Sequence, residues 1–299
     1  MASQQMINGK GFEWACAIAI KNQTGFNIVK NNESKNNKKC FEDSSISDKK
    51  RAFYLLSADK AIKHVLGRES FGDSGTILCI ADERGEKGDV RDIIIDDGSK
   101  KIGVSCKTNH DAYKHSRLSM KLNFVEKWKL NSDGCSDQYF DDIRPIFQEI
   151  MDRREVSGNK ATWKEQKDTP EKFYWPTLHA FEAEIRRIET ETMCQNFIKY
   201  IIGNNDFYKV VTMTKESKVI VQALNMNGTL NATLLKIPTK IDLIKDKNST
   251  EYSKTIMFNK GWTFNFRIHS AETLLKPSLK FDVRAVSLPH SMYSHHIDI

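Results

Sequence analysis

The chain has 299 residues, 39% of them hydrophobic, and a formal charge of +7. That is apolar content for one large domain or two small ones. No run of about 18 apolar residues occurs, which excludes a transmembrane helix, and the opening residues lack the basic start and apolar stretch of a secretory signal, so a cytoplasmic bacterial location is expected.

In chain order, Gly11 to Ile20 is predicted as a mostly buried helix. Residues 31–50 are rich in Asn, Lys and Ser with few apolar anchors, and read as a loop or poorly ordered insert. A second helix is predicted from about Lys50 to Leu66, followed by the turn-forming Ser70-Phe-Gly-Asp-Ser-Gly75. Thr76-Ile-Leu-Cys-Ile-Ala81 is a short apolar run. Asp92 to Lys107 reads as strand, turn, strand, with Ile93-Ile94-Ile95 suiting a buried strand and Asp97-Gly98 a hairpin turn. In the second strand Ser105 and Lys107 fall on one face, because side chains alternate. Helical spacing returns from Gln138 to Arg154 and from Pro176 to Ile202, where Leu178, Phe181, Ile185 and Ile188 recur every three or four residues. Beyond Gly203 the chain is strand-rich, with runs beginning near Val210, Lys218, Thr255, Trp262 and Leu279. The six cysteines form no Cys-x-x-Cys pair, so they read as buried thiols rather than a zinc site or a disulfide framework.

Charge is unevenly placed. From Asp82 to Asp97 seven acids stand against three bases, and from Lys100 to Lys129 eight bases stand against two acids. Carboxylates can hold a hard cation and lysines can hold phosphates, so an acidic cluster beside a basic one suits a nuclease. A solvated face of alternating charge is the ordinary alternative. Within this region Asp92 opens one strand and Lys107, fifteen positions later, closes the next. Antiparallel neighbours across a hairpin bring such groups within several Å. A carboxylate-held Mg²⁺ beside a lysine could activate water and offset charge developing on a phosphodiester. Spacing alone also fits an ordinary hairpin.

The layout resembles the PD-(D/E)xK nucleases, except that Ser105 stands where their second acid is expected. Asp89 and Glu13 are the candidates to supply it. The longer string Gly88-Asp-Val-Arg-Asp-Ile-Ile-Ile95, Ile102-Gly-Val-Ser-Cys-Lys-Thr-Asn-His110 and Lys114-His-Ser-Arg-Leu-Ser119 resembles the HaeIII-type type II restriction endonucleases, in which a Ser-x-Lys replaces Glu-x-Lys. The likeness is dense over about residues 85 to 150 and touches Gly11-Phe-Glu13.

The resemblance implies an α/β restriction-endonuclease-like fold, a mixed central sheet flanked by helices, with a β-rich C-terminal region. Residues 1–160 would form the catalytic core, and residues 161–299 a helical and β-rich DNA-recognition region, in one continuous domain or two. It implies Asp92 and Asp89 as metal-site carboxylates with Glu13 as helper, Lys107 as the catalytic lysine, and His110 as a proton acceptor or phosphate contact. Asn109, Lys114, His115, Arg117 and Ser119 would contact DNA, the alternative for the basic group being a solvent-facing helix. It also implies Mg²⁺, cleavage of both strands of duplex DNA at a palindromic site such as GGCC, 5′-phosphate ends, a homodimer on the site and a cognate methyltransferase. A repair or junction nuclease of the same fold, or an inactive DNA-binding protein, are the other readings. Trp262, Phe264, Phe266 and Tyr252 suit a core better than base stacking. Lys209, Lys215, Lys218 and Arg267 could read base edges, with nothing in the sequence to select among them. His290, His295 and His296 read as a mobile tail.

Overall fold

The central hairpin forms as its sequence demands. Ile93, Ile94 and Ile95 pair with Val104, Gly103 and Ile102 in an antiparallel ladder, and Asp97 and Gly98 make the turn, with Gly98 in the left-handed region at φ 87°. The structure is a computed structural model that describes residues 3–81, 88–109, 112–247 and 251–299. None of its described helices is long and apolar enough to cross a membrane.

The fold is mixed α/β, in two compact units. The first comprises Met1–Asp111, Gly203–Lys236 and Ser291–Ile299, and the second Ala112–Ile202 and Ile237–His290. The two units alternate along the chain. The reason lies in sheet topology. Strand β4 (Lys101–Thr108) runs parallel to β6 (Phe207–Met213), and a parallel pair needs a long crossover connection. Here residues 112–202, part of the second unit, lie within that crossover.

The described strands of the first unit form a seven-stranded mixed sheet in the order β1-β2-β3-β4-β6-β7-β12, with β1 at Asn27–Ile28, β2 at Thr76–Cys79, β3 at Ile93–Asp96, β7 at Lys218–Leu224 and β12 at Ser294–Asp298. Helices α1 (Gln4–Thr24) and α3 (Asp48–Arg68) cover one face. Phe12, Cys16, Ile20, Tyr54 and Ile62 from the helices meet Ile93, Ile95, Ile102, Val104, Tyr208 and Val210 from the strands in one buried core. Ser3 caps the start of α1 by accepting from the Met6 N–H, and Gly25, at φ 77°, ends it.

Two expectations are corrected. Residues 31–50 are not a loop or insert: they contain helix α2 (Asn32–Phe41) and the start of α3. Apolar periodicity is nearly absent from α2, which is why composition hid it. Its start is held by a reciprocal capping box, in which Asn31 Oδ1 accepts from the Ser34 N–H at 2.7 Å and Ser34 Oγ from the Asn31 N–H at 3.0 Å. The end of the chain is likewise not a free tail. Residues Ser294–Asp298 form β12 along the edge of β7, where His295 stacks on His64 at 4.3 Å. His64 Nε2 and the Tyr293 hydroxyl share a short hydrogen bond, and Arg68 lies 4.0 Å over the Tyr293 ring.

The second unit contains an antiparallel sheet whose described strands run β5-β11-β10-β9-β8: β5 at Ala112–Leu118, β8 at Ile241–Asp246, β9 at Ser253–Phe258, β10 at Thr263–His269 and β11 at Leu279–Ser287. Its described α-helices are α4 (Phe124–Lys127), α5 (Asp137–Val156), α6 (Trp175–Arg187) and α7 (Glu191–Ile202). Alternation gives the sheet an apolar face and a polar one. Phe266 and Phe281 on the apolar face pack against Phe181 of α6 or Phe197 of α7 at ring separations of 5.0 to 5.5 Å, and Phe264 meets Phe258 of β9 at 6.5 Å. Trp262, Phe264 and Phe266 are fully buried, so they fill the core.

Two measurements test this packing. Asn31→Ala should lower unfolding free energy by about 1 to 2 kcal/mol in urea titration, because the cap of α2 is lost, together with the Asn31 Nδ2 bond to the Cys79 carbonyl. Burial, then the charges of His295 and Arg68, hold His64 below its ordinary value. Its stabilising contribution is therefore fully present above about pH 6.5 and declines as pH falls through the depressed value. The urea midpoint should drop between about pH 7 and about pH 5, and less so in His64→Gln.

Candidate active site

Asp92 stands at the entrance to β3, and its own N–H pairs with the Val104 carbonyl at 2.9 Å. Its side chain therefore lies opposite Ser105 on the adjoining strand, on the face that Lys107 also occupies. Three groups of β4 converge on one oxygen. Asp92 Oδ2 accepts from the Cys106 backbone N–H at 2.6 Å, from Ser105 Oγ at 3.1 Å and from Lys107 Nζ at 3.3 Å. Among the described residues no hydrogen bond falls on Oδ1.

Burial grades across the cluster. Ser105 and Asp92 are buried, while the Lys107 side chain keeps 34% of its surface exposed. Burial pushes the Lys107 ammonium down, but the negative charges of Asp92 and Glu13 outweigh it and hold the group above the ordinary lysine value. The neighbouring Cys106 thiol is pushed well up, first by its hydrogen bond with Cys16 and then by burial. It stays a neutral thiol and is not a nucleophile.

Glu13 projects from α1 and is buried, with Oε2 accepting from Lys10 Nζ at 3.2 Å and Asn37 Nδ2 at 3.0 Å. Its charge is felt at both Cys106 and Lys107, which puts the first helix on the electrostatic side of the cluster. Asp89 faces Arg91, whose Nε and Nη2 donate to its two oxygens at 2.7 and 2.8 Å. Among the described residues no group of three or more His, Cys, Asp and Glu side chains is close enough to form a metal cage. Mg²⁺ does not require one: it keeps several waters and is commonly held by one or two carboxylates with substrate phosphates. The Oδ1 oxygen of Asp92, with the Glu13 charge acting on the same Lys107, fits that donor set.

The other sequence candidates separate. Asn109 follows β4 at φ 52°. Its Oδ1 accepts from Thr214 N and Oγ1 at 2.7 and 2.8 Å, which ties off the ends of the parallel pair. His110 lies outside the described residues, as does the side chain of His115. Lys114, His115 and Arg117 belong to β5 of the second unit, so the solvent-facing helix considered for them does not form. Lys114 Nζ lies 4.8 Å over the Tyr200 ring. The half-exposed Arg117 donates from Nη1 to Ser278 Oγ at 3.2 Å. Ser119 lies just past β5, where its carbonyl accepts from the Leu122 N–H at 3.2 Å. The structure thus brings together Asp92, Ser105 and Lys107. Sequence reasoning treated Ser105 as a lost acid, and missed the Cys106 N–H and Asn37 altogether. Register alone could have found the first; nothing local marks the second.

The sequence model of the HaeIII restriction endonuclease family matches residues 9–289. The type II restriction enzyme HaeIII of Haemophilus aegyptius is 34% identical, over 97% of this chain and 96% of that enzyme. No solved structure matches the chain. The chain belongs to the HaeIII restriction endonuclease family, and so to the enzyme class of type II restriction endonucleases.

Proposed function

We propose that this endonuclease hydrolyses both strands of duplex DNA at a short palindromic site, GGCC in the reading its family suggests, with Mg²⁺ as cofactor and 5′-phosphate ends as products. The observation that carries the reading is the convergence of Ser105, the Cys106 N–H and Lys107 on one oxygen of Asp92.

Each residue then has a chemical task. Asp92 would hold the cation through Oδ1, since its Oδ2 is occupied by three donors. Ser105 and the Cys106 N–H fix the rotamer of that carboxylate. Glu13 is better suited than Asp89 as second carboxylate, because both oxygens of Asp89 face the Arg91 fork. The chemistry Mg²⁺ supplies when bound is Lewis-acid polarisation of a phosphate oxygen and a lowered pKa for attacking water. Lys107, a cation at neutral pH, offsets the negative charge that grows on the phosphoryl oxygens as the water attacks phosphorus. The P–O3′ bond breaks, leaving a 5′-phosphate and a 3′-alkoxide that takes a proton from solvent. A palindromic site calls for two symmetric copies of the chain, and a cytoplasmic bacterial host would need a methyltransferase to protect its own sites. Phosphate contacts by Asn109, Lys114, His115, Arg117 and Ser119, and a role for His110, belong to the same proposal.

Incubation with unmethylated viral DNA of known sequence tests it. The expected result is a ladder matching GGCC sites with Mg²⁺ and none with EDTA. A ladder at another site discards the target; gel retardation without cleavage leaves a DNA-binding protein that has lost catalysis. Lys107→Ala should lower single-turnover cleavage at least about 10²-fold while site binding stays within about tenfold. Loss of binding with the fold intact would contradict that role. Asp92→Ala should remove Mg²⁺-dependent cleavage, and near-normal activity would move the metal site elsewhere.

A further inference from the structure

The polar face of the second unit's sheet is not an ordinary wetted surface. Pairing places Arg117 opposite Lys280 and Lys280 opposite His269 in one row; Asp282 and Arg267 stand opposite each other in the next, and Arg284 is displayed in the row beyond. Arg267, His269 and Lys280 thus stand around the carboxylate of Asp282, which is itself buried, with Arg117 and Arg284 in the neighbouring rows. Arg267 Nη2 donates to Asp282 Oδ2 at 2.8 Å. His269 Nε2 lies 3.1 Å from that same oxygen, and Lys280 Nζ 3.6 Å from the other.

Arg267 is the informative member. Its side chain is 30% exposed and held at one end by Asp282. Asp282 takes one of its donors, yet Arg267 Nε is buried and finds no hydrogen-bond partner among the described residues. A buried donor left unpaired is costly, and the usual outer face of an antiparallel sheet has no need of one. A partly exposed guanidinium oriented by a carboxylate, with no hydrogen bond on its Nη1 among the described residues and further cations around it, is complementary to a polyanion that offers paired acceptors. The major-groove edge of guanine offers O6 and N7 in that geometry, and an arginine fork reads such a pair where a lysine cannot.

We propose that this face docks on duplex DNA, that Arg267 reads a guanine of the recognition site, and that Asp282 is the positioning residue that aims it. Arg117, Lys280 and Arg284 contact the flanking phosphates. The inference rests on the reading that the chain cleaves duplex DNA at a defined site.

The experiment uses the full chain, a short duplex carrying the site that the wild-type enzyme is found to cleave, and a random duplex of equal length. Arg267→Ala should weaken binding to the site duplex by about 10- to 100-fold, as loss of one bidentate base contact does, with binding to the random duplex nearly unchanged. Arg267→Lys should fail to restore the preference. Asp282→Asn should lower the ratio of site to random binding without lowering random binding. Arg117→Ala and Lys280→Ala should weaken both duplexes alike and flatten the salt dependence. Arg144→Ala, an exposed charge on α5, serves as the control, and thermal melting confirms that each variant is folded. Unchanged site preference in a folded Arg267→Ala overturns the proposal. Full restoration by lysine also overturns it, reducing Arg267 to a phosphate contact. If the wild-type enzyme cleaves no DNA, the functional reading fails first, which is a distinguishable result.

Discussion

Taking a carboxylate out of water is expensive unless donors replace the water it loses. Asp92 meets that demand from one neighbouring strand: β4 supplies a backbone N–H, a hydroxyl and an ammonium to the same oxygen. The supply depends on register. Slipping β3 against β4 by one residue would send Ser105 and Lys107 to the opposite face and leave Asp92 among apolar side chains. The β-branched run from Ile93 to Ile95, packed into the core of the first unit, makes that slip costly. Core packing and site geometry are thus two consequences of one pairing.

Ser105 has a defined place in this arrangement. A hydroxyl is a poor ligand for a hard cation, but it can donate a hydrogen bond where a second carboxylate would repel. By donating to Asp92, the serine leaves one carboxylate on the hairpin, and the charge of Glu13 on α1 is felt beside it at Lys107. Glu13 is itself restrained by Lys10 and by Asn37. The helix in the Asn- and Lys-rich segment therefore restrains Glu13, since Asn37 comes from α2.

Topology explains why the chain is long. β4 and β6 are parallel neighbours, so the chain must leave the first sheet at the end of the strand that carries Lys107 and return at Phe207. Residues 112–202 of the second unit occupy that excursion. The second unit's helices and sheet bury a large aromatic core, which commits one sheet face to packing and leaves the other polar. The same alternation that stabilises the sheet sets Arg267, Asp282 and Lys280 side by side on the polar face.

Elements with strong local periodicity were legible in the sequence. The hairpin was readable from its β-branched triplet and Asp-Gly turn, and the long helices from their apolar spacing. Three elements were not, each for a physical reason. Helix α2 depends on a capping box and on packing against α1 rather than on an apolar stripe. Strand β5, too polar to announce itself, gains its identity from the pairing that β11 offers. The final strand is held by an edge of β7 and by ring stacking on His64. By itself the sequence determined the hairpin, the face shared by Ser105 and Lys107, and the family likeness around them, because these depend on residues close along the chain. The tertiary structure decided the donors on each carboxylate, the alternation of the two units along the chain and the pairing of Arg267 with Asp282. Those depend on residues far apart in sequence, whose contacts exist only once the sheets have formed.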